Sequence, residues 1–197
     1  MSQSEWHGLM KSLEGVSAVC FDAFGTLLEI RDRRFAFRPL LEALPDSKRA
    51  KFKQRFVREN RELSGWPVAL GVPVNKKVLD EVAVRVRAEV SSVRVRPGVP
   101  DMLATLRRHD IPIAICSNLA SPYAPCLRRL LAGKTDHFVL SCEVGAMKPD
   151  AAIYERVETQ LGTDRKRVLF VGDSIKADIE GPHAFGFRST HIDEILG

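Results

Sequence analysis

Long apolar runs are missing from this 197-residue chain. No stretch approaches the roughly 20 consecutive apolar residues needed to cross a bilayer, which argues against a membrane-spanning protein. Met1–Met10 is mixed and polar, without the apolar core of a secretory leader, so the expected location is the cytoplasm. Cysteine is scarce. Cys20, Cys116, Cys126 and Cys142 are far apart and form no Cys-x-x-Cys pair, which argues against a zinc site or a disulfide framework. Cys20 and Cys116 each end an apolar run and read as small buried thiols. The five histidines, His7, His109, His137, His183 and His191, stand in no metal-ligand spacing and beside no nucleophile. Aromatics make up only 7% of the residues, and none interleave with basic residues as a platform for stacked bases.

What remains is the composition of a globular domain, 45% hydrophobic and 28% charged. Its net charge of +5 is unevenly distributed. From Glu29 to Arg96, 17 Lys and Arg stand against 9 Asp and Glu, a local charge of +8; the rest of the chain carries −3. With no nucleic-acid motif to accompany it, the basic segment reads either as a surface that steers a small anion or as a solvated, arginine-rich face, and no nucleic-acid partner is expected.

Short apolar runs alternate with helical patterns. Val16–Phe21, Ile111–Cys116, Phe138–Leu140, Val168–Val171 and Arg188–Ile192 read as strands. Helices are expected at Pro100–His109, Tyr123–Leu131 and Ala151–Leu161, the last ending before Gly162. A further helix, Ile175–Phe185, should break at Gly181-Pro182. This alternation predicts an α/β fold with a doubly wound, Rossmann-like parallel sheet. The basic segment breaks the rhythm. It shows no convincing strand and two helical stretches, Arg38–Leu63 and Lys76–Ser92, the second capped by Asn75 with Leu79, Val82, Val86 and Val90 on one face. The predicted organisation is therefore a core of residues 1–28 and 97–197 with a helical cap, 29–96, inserted as a lid.

Polar residues follow the strands in order. The first strand runs into Asp22-Ala23-Phe24-Gly25-Thr26-Leu27, and the second into Ser117-Asn118. The third leads to Gly145-Ala146-Met147-Lys148-Pro149-Asp150, and the fourth to Gly172-Asp173-Ser174 with Asp178 beyond. Open parallel sheets gather their chemistry at these carboxyl ends. A carboxylate such as Asp22 can attack phosphorus or carbon to form a covalent intermediate. Lys148 supplies positive charge, and Asp22, Asp173 and Asp178 make an all-oxygen set suited to Mg²⁺. Gly-Asp-Ser lacks the Gly-x-Ser-x-Gly frame, so a serine hydrolase is not indicated.

Together these segments resemble the four ordered motifs of the haloacid dehalogenase superfamily, over about 130 residues outside the insert and the tail. The resemblance implies that Asp22 is the nucleophile and that Lys148 serves both the nucleophile and the transferring group. Ser117, helped by backbone N–H groups near Asn118, would bind substrate oxygens. Mg²⁺ would be held by Asp22, Asp173, Asp178 and the main-chain carbonyl of Phe24. Substrates would be small anions, phosphorylated or halogenated acids.

One position departs. Phosphatases of this superfamily usually place a second aspartate, the general acid–base, where this chain has Phe24. Losing that group forfeits a factor of about 10² to 10⁴. The segment FDAFGTL looks more like the dehalogenases proper, whose halide leaves without a proton, but they work without metal and usually lack the Gly172-Asp173 opening. The expectation is Mg²⁺-dependent phosphoryl transfer through an aspartyl-phosphate that accumulates, on a substrate with a good leaving group: an acyl phosphate, aryl phosphate or phosphonate. Otherwise Glu29 or Asp32 lends the acid. Arg31, Arg33 and Arg34 lie close enough in sequence to touch substrate. Lys48, Lys51, Lys53, Lys76 and Lys77 are available for the Schiff base used by phosphonate-cleaving relatives. The alternatives are a metal-independent 2-haloacid dehalogenase and a catalytically weak binding or regulatory protein.

Overall fold

The structure is a computed structural model that describes residues 13–196; Met1–Met10 and His7 lie outside the described residues. Five strands form a parallel sheet: β1 (Ala18–Phe21), β4 (Ile113–Ser117), β5 (His137–Leu140), β6 (Val168–Gly172) and β7 (Arg188–His191), in the order β5-β4-β1-β6-β7. The central three are buried along their whole length, as a sheet covered on both faces requires. Val19, Phe21, Ile115 and Val171 enter one core cluster, while Cys20, Cys116 and Phe170 enter another. That alternation is the period-2 geometry of strands expressed as two faces. All four cysteines are buried and reduced.

β1 sits between β4 and β6, with Phe21 in register with Ile115 on one side and Val171 on the other. The chain runs from β1 to β4 and β5 on one side and then crosses back to β6 and β7 on the other, so the crevice at the carboxyl end of β1 is the natural binding position of such a sheet. The helices Val99–Arg108, Ala124–Leu131 and Ala151–Leu161 agree with the sequence reading to within a residue. The stretch Ile175–Glu180 is π-helical and hands over at Gly181 to the α-helix Gly181–Phe185, which is where a break was expected.

The segment from 29 to 96 corrects that reading in two ways. It does contain strand: β2 (Leu28–Ile30) pairs antiparallel with β3 (Val93–Val95), joining the insert's two crossings to the core. Three-residue strands are too short to display a period, which is why they escaped notice. The helix expected at Arg38–Leu63 is also divided, into Arg38–Ala43 and Asp46–Arg55. Pro45 forces Leu44 into extended backbone, and no helix passes that point. A short helix, Trp66–Leu70, carries Pro67 in its first turn and ends on left-handed Gly71. Asn75 caps Lys76–Ser92 by accepting from the Lys77 N–H at 2.9 Å. These helices bury their own cluster of Leu40, Leu44, Phe52, Trp66, Leu70 and Val82.

Candidate active site

Asp22 follows the last residue of β1, its N–H bonded to the Val171 carbonyl of β6 at 2.9 Å. The chain then turns sharply. Gly25 adopts φ +100°, and a Cβ there would fall 2.1 Å from Asp173 Oδ2, so only glycine admits the Asp173 carboxylate beside the turn. Leu27 and Leu28 both donate to the Ala23 carbonyl, and Gly25 donates to Leu28. None of these bonds uses the carbonyl of Phe24.

Lys148 is buried and placed between two carboxylates. Its ammonium donates to Asp22 Oδ1 at 2.7 Å and to Asp178 Oδ1 at 2.6 Å. Burial alone would lower its pKa; the facing carboxylates, Asp22 first, outweigh it and hold the lysine protonated above its ordinary value. At Asp22 burial is the largest influence and raises the carboxyl pKa; Lys148 opposes it, while Asp178 and Asp173 add to it. Two buried carboxylates sharing one ammonium leave a surplus negative charge that invites a cation.

The Asp22, Asp173 and Asp178 side chains offer oxygens within 4.8 Å of one another. They are not equivalent. Asp178 is nearly inaccessible, with Oδ1 taken by Lys148 and Oδ2 accepting from the Ser174 N–H at 3.0 Å. Asp173 is exposed, and its Oδ1 accepts from the Thr26 hydroxyl at a long 3.5 Å. A hard divalent cation takes oxygen ligands of this kind, so the set fits Mg²⁺. The π-helical turns after Ser174 bring Asp178 back under Gly172, where a Cβ would meet Asp178 at 2.3 Å.

Ser117 ends β4 and is buried. Asn118 follows directly after β4. Its side chain is spent on Lys148, donating to the Lys148 carbonyl at 2.9 Å and accepting from the Lys148 N–H at 2.8 Å. One of the backbone donors expected nearby, the Leu119 N–H, is held by Ser141 Oγ at 3.0 Å.

Glu29 and Asp32, the expected substitutes for the missing acid, are each paired with an arginine. Glu29 pairs with Arg31 at 2.6 Å and Asp32 with Arg34 at 2.6 Å. Neither lines the cavity of about 750 Å³ that lies between insert and core, beside Phe24 and Asn118. Of the three nearby arginines only Arg33 reaches its wall, and of the insert lysines only Lys53.

Residues that the sequence did not single out complete the surroundings. Tyr123 packs edge-on against Phe24, ring centroids 5.9 Å apart, and its hydroxyl donates to buried Glu89. Burial, then that hydrogen bond, pushes the Tyr123 pKa well above its ordinary value. His191, at the end of β7, lies 3.1 Å from the Asp173 carbonyl through Nε2. Its position at the end of the last strand, next to β6, was the available signal.

Residues 16–186 match the family model described as haloacid dehalogenase-like hydrolase. An (S)-2-haloacid dehalogenase of Pseudomonas sp. strain YL is 39% identical over 98 residues, covering 48% of this chain and 41% of that one. A phosphoserine phosphatase of Thermus thermophilus is 29% identical over 151 residues, covering 74% and 56%. The chain thus matches about half the length of these two relatives. Among solved structures, a HAD family enzyme of Bacteroides thetaiotaomicron, in a magnesium complex, superposes with a TM-score of 0.65 at 17% identity, covering 90% of this chain and 93% of that one, a likeness of fold. The chain belongs to the haloacid dehalogenase-like hydrolase family.

Proposed function

We propose that the protein is a Mg²⁺-dependent phosphatase that works through an aspartyl-phosphate on Asp22. The observation that carries this reading is the cluster of Asp22, Asp173 and Asp178 around one lysine. Three carboxylates against a single ammonium are costly without a cation, and a cation is of use when the substrate is itself a phosphoryl anion. Asp22, Asp173, Asp178 and the Phe24 carbonyl would hold Mg²⁺, which when bound neutralises charge on the nucleophile and the phosphoryl oxygens.

In this reading a carboxylate oxygen of Asp22 attacks phosphorus. A bond forms from Asp22 to phosphorus, the ester P–O bond breaks, and the leaving oxygen departs with the electron pair. Water then hydrolyses the aspartyl-phosphate, restoring the carboxylate and releasing phosphate. Lys148 holds the nucleophile in place and offsets negative charge, and Ser117 donates to a phosphoryl oxygen. Asn118 acts through Lys148, by fixing its main chain. Phe24 offers no proton, so the leaving group must depart as a stable anion, and hydrolysis of the intermediate lacks a base. The helical segment 29–96 would act as the lid over the small anionic substrate.

The test is release of 4-nitrophenol and phosphate from 4-nitrophenyl phosphate, with Mg²⁺ and with chelator, for wild type and Asp22→Asn. Turnover that needs both Mg²⁺ and Asp22 supports the reading; turnover indifferent to either sinks it. A second reading, metal-independent 2-haloacid dehalogenation, is favoured by Phe24 and by the likeness to the Pseudomonas dehalogenase. Chloride release from 2-chloropropionate in the presence of chelator would select it.

A further inference from the structure

The cavity beside Phe24 has an unusual wall for a site that must attract an anion. Phe24, Phe35, Phe37, Leu41, Phe56 and Tyr123 contribute to it, with charged side chains, Arg33 and Lys53 among them. The rings form a connected group: Phe37 lies 5.2 Å from Phe56 and 6.5 Å from Tyr123, which in turn packs on Phe24. About 750 Å³ is ample for a small organic group, and apolar walls of this kind take apolar ligands. The carboxylates themselves lie outside the lining; Phe24 and Asn118 connect the cavity to them.

Phe35 is the second observation. It is 64% exposed and adopts φ +49°, a conformation that a bulky residue rarely holds without help. The help is visible. Glu89 accepts from the N–H of Arg34 at 2.7 Å and from the N–H of Ala36 at 3.3 Å, the two residues flanking Phe35. Its other oxygen accepts from Tyr123, so one buried carboxylate ties the loop to the aromatic wall. An exposed ring held in a strained conformation at the edge of an apolar cavity is a feature with a cost, and strain of this sort collects where ligands bind.

We infer that the substrate is an aryl phosphate, whose aromatic leaving group occupies this cavity and is gripped by Phe35. The inference rests on the phosphoryl-transfer reading above and explains two features together. An aryl oxide leaves without a proton, as Phe24 demands, and its ring finds aromatic partners in edge-on or offset contact. Glu89 is then a positioning residue that sets the placement of Phe35.

The experiment compares kcat/KM for 2-naphthyl phosphate, phenyl phosphate and acetyl phosphate in Mg²⁺. The two aryl leaving groups are of nearly equal acidity, so their ratio reads ring burial, while acetyl phosphate reads the chemistry without a ring. Wild type should prefer naphthyl over phenyl by about tenfold, expressed chiefly in KM. Phe35→Ala, at an exposed position that should fold, should bring that ratio close to one. A fluorescence titration with 2-naphthol, which involves no turnover, should show binding that weakens about tenfold in Phe35→Ala. Turnover of acetyl phosphate with no naphthyl preference, or with a preference untouched by Phe35→Ala, would overturn the inference and leave phosphoryl transfer standing. Absence of Mg²⁺-dependent turnover of all three compounds would overturn both.

Discussion

Asn118 and Lys148 are joined by a reciprocal pair of hydrogen bonds, side-chain amide to main-chain N–H and carbonyl, at 2.8 and 2.9 Å. The pair joins the end of β4 to the loop that carries the lysine and so determines where the ammonium stands relative to Asp22. Asn118→Ala removes both bonds, each worth about 1 kcal/mol. A misplaced lysine costs transition-state stabilisation, so kcat on 4-nitrophenyl phosphate should fall about 30-fold. KM should change much less, because the amide's bonding partner is the Lys148 main chain. A rise in KM at constant kcat would assign Asn118 to substrate binding instead.

The charge count around Lys148 gives a second expectation. Lys148→Met would leave Asp22 and Asp178 buried together without their shared partner, at a cost of about 3–5 kcal/mol in denaturant unfolding. Asp22→Asn should act in the opposite direction in the metal-free protein. Burial first, against the pull of Lys148, raises the Asp22 pKa. A carboxyl whose folded pKa exceeds its unfolded value contributes stability at low pH, and loses it as pH rises through the folded value. Asp22→Asn removes that loss, leaving one carboxylate for one ammonium, and its unfolding midpoint in chelator at pH 7 should exceed that of wild type. A lower midpoint would mean that the Asp22–Lys148 pair is a net stabiliser.

Much of this site was legible before the structure because strand ends are legible. Apolar runs such as Val168–Val171 announce a buried strand, and the polar residues that follow must then lie at one edge of the sheet. Hence Asp22, Lys148, Asp173 and Asp178 could be grouped without knowing a distance. Tertiary partners were hidden. Nothing local in Asn118 says that its amide faces a lysine main chain 30 residues on, and nothing in Glu89, on an otherwise helical pattern, says that it bonds the neighbours of Phe35. The insert is least legible, since β2 and β3 are three residues each, too short to show a period, and the apolar pattern of Arg38–Leu63 runs on across the break at Pro45.

Metal binding can be tested without turnover. If Asp22, Asp173 and Asp178 hold Mg²⁺ in the folded chain alone, Mg²⁺ at about 100 times its dissociation constant adds about 2.7 kcal/mol of stability. For a chain of this length that is about 5–10 °C in Tm. Gly25→Ala should abolish the shift. Its Cβ would occupy the position of the Asp173 carboxylate and would also have to adopt φ +100°. Isothermal titration of both proteins with MgCl₂ checks the same point; equal heats for wild type and Gly25→Ala would remove Asp173 from the metal site.

Phe24 is the position at which activity should be gained rather than lost. It is half-buried against Tyr123, next but one to Asp22 in the turn that Gly25 closes. A carboxyl there would stand at the wall of the apolar cavity. Phe24→Asp should therefore supply the missing proton to a poor leaving group and raise kcat/KM for an alkyl ester such as glycerol phosphate by roughly 10²-fold. For 4-nitrophenyl phosphate, whose leaving oxygen needs no proton, the first step should gain little. The variant should also hydrolyse its aspartyl-phosphate faster, because the same carboxylate can activate water. Rapid-quench labelling would then show a smaller burst than in wild type. The aromatic contact with Tyr123 is lost in the exchange, at about 1 kcal/mol, which a domain of this size tolerates. If alkyl esters remain inert in a folded, Mg²⁺-binding Phe24→Asp protein, the absence of a proton donor is not what limits turnover. Leaving-group fit in the cavity would then be the stronger determinant.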